Sequence, residues 1–294
     1  MKISTSLEHA ITLLDATPET SAAMMKQAGF DGVDLSMCHD QEEPEKLLRP
    51  EWAEAIRRQS RAAQGEGLEI LQCHLPYYGG HLPLPGAGAY QDYEDFMLPG
   101  LVRGLELCGE IGCPVAVMHP FFDVASRENS LEGNLRLIER LLPHLKKNGV
   151  RLALENVYGH DGRHYIETLV SRPEGILEIL NRGDGDWVGA CIDTGHANIF
   201  RIDIGQMARS YGKRLIALHV NGNAGHDEHV VPYTMSGWCE HMDYRDFSAA
   251  LREIGFSGSY NLEINPGRMP PGAVQAYLNY AAAMARGLAE MAEY

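Results

Sequence analysis

The sequence lacks the features of a secreted, disulfide-bonded or membrane protein. Its 294 residues contain six cysteines, and no two of them form a C-x-x-C pair. The longest apolar runs are about five to seven residues, far short of the ~20 that a membrane-spanning helix requires. The opening segment MKISTSLEHA has no apolar stretch, so we expect no secretory signal. These absences predict a cytoplasmic protein whose thiols are reduced and mostly buried.

Basic residues are also scarce. Lys and Arg number 25 against 40 Asp and Glu, which gives a formal net charge of −15. Because nucleic-acid binding depends on Lys and Arg that neutralise phosphate, this balance argues against a nucleic-acid partner. It does not exclude a local basic groove. The chain has no G-x-G-x-x-G after its first predicted strand and no Gly-rich phosphate loop. These absences disfavour a dinucleotide-binding sheet and favour an unphosphorylated substrate.

The sequence does contain short apolar strands that alternate with amphipathic helices, eight times over and without a linker between the repeats. Alternating strands and helices imply parallel strands, and eight such units close naturally into a barrel. We therefore expect an α/β fold, a single (β/α)8 TIM barrel that forms one domain over residues 1–294. A doubly wound open sheet is the competing fold. The predicted strands are Lys2–Leu7, Gly32–Ser36, Leu68–His74, Val115–His119, Val150–Glu155, Val188–Asp193, Leu215–Val220 and Ser259–Ile264.

Six of these strands carry, at or near the carboxyl end, a residue that can bind a metal ion. The residues are His74, His119, Glu155, Asp193, His219 and Glu263. The carboxyl ends of barrel strands meet on one face, so these side chains should converge there. A carboxylate at the end of a buried strand is costly unless it is ion-paired or metal-bound. The last four strands provide three carboxylates and one imidazole, a set that suits Zn²⁺, Mn²⁺, Mg²⁺ or Co²⁺; structural salt bridges are the alternative.

Two further pairs of residues repeat this chemistry outside the strands. Asp193-x-x-His196 leaves the sixth strand, so its two side chains can reach one metal centre or two neighbouring ones. Asp227-x-His229 lies in the segment after the seventh strand. Both pairs are therefore candidate metal ligands.

Two long loops follow predicted strands. They are Pro76–Ala89 and Gly222–Met242. A barrel places both loops over its active face, where Tyr77 and Trp238 can form aromatic walls for a sugar-sized ligand. Packing of these rings within their own loops is the alternative.

The motifs around these residues form an ordered set. In chain order they are CHLPYY, VMHP, ALENVYG, CIDTGHAN, LHVNGN, DEH and NLEIN. On these motifs the whole chain resembles the xylose isomerase-like barrel superfamily, which holds sugar isomerases and epimerases, inosose dehydratases and endonuclease IV. The resemblance implies a TIM barrel with a divalent metal, and members of the superfamily often form dimers or tetramers.

The ketose 3-epimerase branch of that superfamily holds one divalent metal with residues from the last four strands, and its two glutamates exchange the proton of a substrate carbon. By this resemblance the ligands are Glu155, Asp193, His219 and Glu263. His196 matches a histidine that contacts the substrate in that branch. The chain departs from the branch at Gly225, where the branch has arginine, and at Asp161, where it has glutamate.

Endonuclease IV gives a second resemblance, because it binds three zinc ions with nine ligands. The counterparts in this chain are His74, His119, Glu155, Asp193, His196, His219, Asp227, His229 and Glu263. The loop between His219 and Asp227 is shorter than in that nuclease, and the strand-end loops carry no cluster of Arg and Lys. The ligand set thus implies one to three metal ions per chain without fixing the reaction.

These observations predict a divalent-metal-dependent isomerase or epimerase of a small-molecule keto-sugar or polyol. We expect Glu155 and Glu263 to be catalytic, moving a proton next to a carbonyl through a metal-stabilised enediolate. The expected substrate-binding residues are His74, His119, His196, Asn156, Tyr77 and Trp238. The alternatives are an inosose-type dehydratase, an endonuclease IV-like phosphodiesterase and a binding protein without turnover. Assembly into a homo-oligomer also stays open.

Overall fold

The strands pair side by side in nearly the order in which they occur along the chain. The computed structural model describes residues 1–8, 14–38, 48–77, 89–234, 242–267 and 269–293. Within this part of the chain, a short antiparallel hairpin, β6 (Gly159–His160) with β7 (Tyr165–Ile166), follows the fifth strand. The other strands form one eight-stranded parallel sheet: β1 (Ile3–Ser6), β2 (Gly32–Ser36), β3 (Glu69–His74), β4 (Val115–Met118), β5 (Arg151–Glu155), β8 (Val188–Asp193), β9 (Leu215–His219) and β10 (Tyr260–Leu262).

The sheet closes on itself between β9 and β10. Val220, the residue after β9, forms a parallel bridge with Leu262 of β10. The Val220 N–H donates to the Asn261 carbonyl at 2.8 Å, and the Val220 carbonyl accepts from the Glu263 N–H at 3.1 Å. The predicted (β/α)8 TIM barrel is therefore confirmed, and the open doubly wound sheet does not form.

Helices connect the strands and pack around the outside of the barrel. In the described part they are α1 (Pro18–Ala28), α2 (Pro50–Gly65), α3 (Ala89–Ile111), α4 (Arg127–Asn148), α5 (Pro173–Arg182), α6 (Thr194–Ile199), α7 (Ile204–Tyr211), α8 (Tyr244–Ile254) and α9 (Val274–Met291). Gly29 ends α1 with φ of 98°, a left-handed conformation that favours glycine. None of these described helices combines the length and apolar character that crossing a membrane requires.

Side chains of the strands alternate between two apolar layers. Leu152 and Leu154 of β5 belong to the large core between the strands and the helices. Ala153, between them, packs instead with Cys191 and Ala217 in a separate small cluster inside the barrel. Because the side-chain period of a strand is two residues, the next interior position on each of these strands is its last residue. The strand-end side chains therefore point into the mouth of the barrel.

The cysteines mostly pack in the core. Cys38, Cys73, Cys108, Cys113 and Cys191 are free thiols in the part of the chain that the structure describes. All of these except Cys38 are buried. Cys239 lies outside the described residues.

Candidate metal centre

Four polar side chains meet at the carboxyl ends of the last four barrel strands. They are Glu155, Asp193, His219 and Glu263. One ligand atom from each lies within 4.8 Å of the other three. The first three residues end β5, β8 and β9, and the fourth directly follows β10. The structure thus brings together the set that the strand ends indicated, and its oxygen-rich composition suits a divalent cation.

Glu155 lies at the centre of this group. Its side chain is fully buried, and its Oε2 atom lies 3.2 Å from His219 Nδ1 and 3.3 Å from His74 Nε2. Burial opposes ionisation of this carboxyl, but the imidazoles of His219 and His119 outweigh burial and hold the pKa of Glu155 well below its usual range. Glu155 is therefore a carboxylate at neutral pH.

His219 has a carboxylate on each side of its Nδ1 atom. Nδ1 lies 3.2 Å from Oε2 of Glu155 and 3.2 Å from Oε2 of Glu263. Burial works against protonation of His219, yet the nearby negative charges, those of Glu263 and Glu155 among them, raise its pKa well above the usual range. The negative charge around His219 thus favours positive charge at this point.

Several polar atoms of this group are buried without a hydrogen-bond partner. They are both carboxylate oxygens of Glu155, both ring nitrogens of His219 and Oε2 of Glu263. Buried polar atoms in proteins almost always have a partner. The carboxylates of Glu155 and Glu263 and the Nδ1 atom of His219 present such atoms to one another, an arrangement that fits a cation between them.

Asp193 is held by its own helix and by two asparagines. As the N-cap of α6, its carboxylate accepts a hydrogen bond from the His196 N–H at 2.6 Å. Asn221 donates to its other oxygen at 2.9 Å. The Asn156 amide accepts from the Asp193 N–H at 2.8 Å and donates to the Asp193 carbonyl at 2.9 Å. Burial raises the pKa of Asp193 to about 7, against the opposing effect of His196.

Histidines and a tyrosine line the side of the mouth formed by β3 and β4. His74 ends β3, and His119, which directly follows β4, has its Nε2 atom 3.4 Å from Glu155 Oε2. The centroid of the Tyr77 ring lies 4.2 Å from that of His119 and 5.3 Å from that of His74. Trp238, the other predicted aromatic wall, lies outside the described residues. These rings form a wall beside the buried carboxylates.

A second polar cluster adjoins the first. Asp193, His196 and His229 offer ligand atoms that lie within 4.8 Å of one another. Asp227 accepts from the Tyr158 hydroxyl at 2.5 Å and lies 2.7 Å from His229 Nε2. Burial lowers the pKa of His229, but Glu263 and Asp227 outweigh it and raise this pKa to about 9. The segment that carries Asp227 and His229 therefore folds back over the strand ends.

Sequence reasoning missed three residues that contact this group. Asp34 Oδ2 lies 3.5 Å from His219 Nε2, and Asn221 and Tyr158 hold Asp193 and Asp227 as described. Asp34 is a carboxylate inside the buried strand GVDLS, the same signal as at the strand ends. A search restricted to strand ends passes over it because it precedes the end of β2 by two residues. Asn221 and Tyr158 stand within the motifs LHVNGN and ALENVYG.

A closed parallel barrel with carboxylates and imidazoles buried at the carboxyl ends of its strands is a frame on which many enzymes are built. The sequence profile of the xylose isomerase-like TIM barrel family matches residues 22–286 of this chain. The chain belongs to that family.

Solved structures share this fold over their full length. A D-tagatose 3-epimerase-like protein superposes with a TM-score of 0.73 at 19% identity, covering 100% of this chain and 98% of that one. The D-psicose 3-epimerase of Clostridium cellulolyticum H10 gives 0.65 at 18% identity, with 99% and 98% covered. The 3-keto-D-glucoside 4-epimerase of E. coli gives 0.67 at 17% identity, with 98% and 99% covered. At these identities the likeness establishes the fold.

A curated relative matches part of the sequence. It is the uncharacterized protein y4fM of Sinorhizobium fredii, 25% identical over 170 residues, which cover 55% of this chain and 51% of the relative. The chain thus spans about half the length of the curated relative it matches.

Gly195 tests how tightly the site is packed. A Cβ atom at Gly195 would overlap the side-chain oxygen of Asn221 and approach Asn223 Nδ2 to 2.8 Å. We expect Gly195→Ala to lower the free energy of unfolding by about 1–3 kcal/mol, the usual cost of overpacking, because Asn221 must move away from Asp193. In the control Gly287→Ala, within α9, the added Cβ meets nothing within 4 Å, so stability should hold or rise. Denaturant unfolding measures both, and equal stability of the two variants would contradict this packing.

Proposed function

We propose that the chain is a divalent-metal-dependent isomerase or epimerase of keto-sugars or polyols. The observation that carries this proposal is the convergence of four side chains within 4.8 Å at the mouth of the barrel, those of Glu155, Asp193, His219 and Glu263. Two of the solved structures of similar fold are named as sugar epimerases, which supports the same class.

The proposed metal ligands are the same four residues. Their buried atoms without hydrogen-bond partners and their oxygen-rich composition support this assignment. A divalent cation held there would polarise a substrate carbonyl and so acidify the neighbouring C–H bond. The remaining task, moving the proton, falls to side chains of this protein.

Glu155 and Glu263 are the proposed acid–base pair. Burial opposes ionisation of both carboxyls, but His219 and other imidazoles hold both pKa values below the usual range, so both side chains can accept a proton at neutral pH. The Oε2 atom of each lies 3.2 Å from His219 Nδ1, so the two carboxylates reach the same small volume from different strands. A positioned acid–base group typically accelerates such a step by about 10²–10⁴-fold.

The route by which the proton returns decides the product. Removal by one glutamate and return by the other to the opposite face of the same carbon gives an epimer. Return by one glutamate to the adjacent carbon, with a proton shift between the two oxygens, gives an isomer. Loss of a neighbouring hydroxyl instead gives dehydration, the reaction of an inosose-type dehydratase.

Side chains around the mouth are proposed to bind the substrate. His74, His119 and Tyr77 form the ring-lined wall beside Glu155. His196, whose Nδ1 atom lies 2.9 Å from the Asn156 carbonyl oxygen, stands beside the same carboxylate. The side-chain amide of Asn156 forms two hydrogen bonds with the Asp193 backbone and so positions Asp193. Its predicted contact with the substrate stays a prediction.

Replacing either proposed acid–base glutamate should stop proton exchange. Glu155→Gln and Glu263→Gln keep the side-chain shape but cannot accept the proton, so we expect exchange to fall by about 10²-fold or more. Exchange of carbon-bound protons of candidate ketoses and inososes with D2O, followed by NMR, measures this whatever the product is. Glu94→Gln, at a buried glutamate of α3 that pairs with Arg136, is the matched control and should keep wild-type exchange.

Wild-type exchange rates in either site variant, with the fold retained, would remove the assigned roles. Tight sugar binding by the wild-type protein with no exchange at all would instead identify a binding protein.

Metal affinity should rise steeply with pH. The pKa of His229 is raised to about 9 and that of Asp193 to about 7, and His219 is also raised, so at pH 6 protons occupy groups in and beside the proposed ligand set. A cation has to displace them, which costs about tenfold in affinity per pH unit below each pKa for every proton released. Chelator competition with Mn²⁺ between pH 6 and pH 9 measures the trend. An affinity that is flat or falls across this window would contradict the proposed ligand set.

A further feature of the site favours a second candidate, a phosphodiesterase that resembles endonuclease IV. Three more groups among the described residues overlap the central one: His74–His219–Glu263, His74–His119–Glu155 and Asp193–His196–His229. Overlapping groups of this kind can hold several cations that activate water and clamp a phosphate. The net charge of −15 opposes a nucleic-acid substrate, so this candidate ranks second.

The two candidates differ in what they cleave. We expect an oligonucleotide with an abasic site to stay intact in the presence of the Zn²⁺- or Mn²⁺-loaded protein, because the acidic surface repels its backbone. Gel electrophoresis of the oligonucleotide measures this, with chelator-treated protein as the control. Chelator-sensitive cleavage would place the phosphodiesterase ahead of the isomerase.

A further inference from the structure

Asp34 lies inside the barrel, one layer below the strand-end residues. It belongs to β2, two residues before the end of the strand, and is 5% exposed. Its Oδ2 atom accepts hydrogen bonds from Gln72 Nε2 at 2.8 Å and from Asn261 Nδ2 at 3.0 Å. Ser4 in turn donates to Asn261 Oδ1 at 2.8 Å. Side chains from β1, β3 and β10 thus hold this carboxylate of β2 in one position.

The held carboxylate faces His219. The Nε2 atom of His219 lies 3.5 Å from Asp34 Oδ2. Its other ring nitrogen, Nδ1, is the atom that lies 3.2 Å from Glu155 and Glu263. A neutral imidazole carries a single proton, so only one of these nitrogens can be a donor. If the proton is on Nε2, it faces Asp34. The lone pair of Nδ1 then points toward Glu155 and Glu263, where the metal ion is proposed to bind.

The negative charge of Asp34 is directed at this one imidazole. Among the ion pairs of the described residues, Asp34 has His219 as its partner and pairs with no Lys or Arg. Gln72 Nε2 also donates to the Leu218 carbonyl at 3.3 Å, so the same amide ties Asp34 to the residue before His219. The carboxylate and the imidazole are therefore fixed relative to each other through both backbone and side chain.

We propose that Asp34 is a positioning residue that keeps His219 in its Nε2–H form and so presents Nδ1 to the metal ion. This inference rests on the proposed metal centre and adds a residue that no strand-end motif contains. Carboxylates that accept from the far N–H of a metal-binding histidine typically contribute roughly 10–100-fold to metal affinity. The 3.5 Å between His219 Nε2 and Asp34 Oδ2 is longer than a full hydrogen bond of about 2.7–3.2 Å. The test therefore measures the tautomer of His219 directly, in addition to metal affinity.

Asp34→Asn is the test variant. It keeps an oxygen that can accept from Gln72 and Asn261, so the polar layer stays satisfied, and it removes the charge that faces His219. Zn²⁺ serves as the probe because it is diamagnetic. Its affinity is measured by competition with a chelator, and the tautomer of His219 is read from the ¹⁵N shifts of its two ring nitrogens in the Zn²⁺-loaded protein.

Asp31→Asn is the matched control. Asp31 stands just before the same strand, at its opposite end, where it accepts from the Ile3 N–H at 2.9 Å and pairs with Arg286 at 2.9 Å. This variant removes the same charge from the same strand without touching His219. It therefore separates a loss of general stability from a loss of positioning.

In the wild-type protein we expect the Nε2–H form of His219. Asp34→Asn should bind Zn²⁺ roughly 10–100-fold more weakly and lose part of that form, whereas Asp31→Asn should match the wild type in both. A wild-type His219 in the Nδ1–H form would overturn the proposal. So would Asp34→Asn that binds Zn²⁺ as tightly as the wild type with an unchanged tautomer.

Failure of the metal centre gives a different result. If neither Zn²⁺ nor Mn²⁺ binds the wild-type protein, the proposed metal-dependent function is wrong. The ¹⁵N spectra of the ion-free wild type at alkaline pH then show which ring nitrogen of His219 carries the proton, and the Nδ1–H form would overturn the proposal. They decide the same question if Asp34→Asn does not fold.

Discussion

The site depends on one electrostatic constraint: three carboxylates meet at one point, and two of them, those of Glu155 and Asp193, are fully buried. Two unit charges about 4 Å apart interact by about 4 kcal/mol at an effective dielectric constant of 20. The protein offsets this repulsion with imidazoles, since Glu155 alone lies within 3.4 Å of nitrogens of His74, His119 and His219. A divalent cation held among these carboxylates would offset the repulsion more directly.

The barrel interior below the three carboxylates has an apolar part and a polar part. Beneath Glu155, Asp193 and His219 lie the small side chains of Ala153, Cys191 and Ala217. On the other side lie Gln72 of β3 and Asn261 of β10, which hold the Asp34 carboxylate of β2. The apolar half supplies rigid packing and the polar half supplies orientation, and a binding site needs both.

The barrel and the convergence of the four strand-end side chains could be predicted from the sequence because both follow from local patterns. An apolar run that ends in a carboxylate indicates both a buried strand and the end of that strand that faces the barrel mouth. For Val188–Asp193 the predicted and observed bounds agree. The start of helix α4 at Arg127 is harder to predict, because Ser126 caps a polar first turn that carries no amphipathic signal. The hairpin β6–β7 and the short helix α6 have too few residues for a periodic signal. The proposed role of Asp34 depends on contacts across the barrel interior, which strand position alone does not specify.

The most direct test of the account is an anomalous difference map from crystals grown with Zn²⁺. The account predicts a peak at the mouth of the barrel, about 2.0–2.2 Å from carboxylate oxygens of Glu155, Asp193 and Glu263 and from Nδ1 of His219. A map with Zn²⁺ bound elsewhere and no peak among these four side chains would contradict the central claim that they form a metal centre.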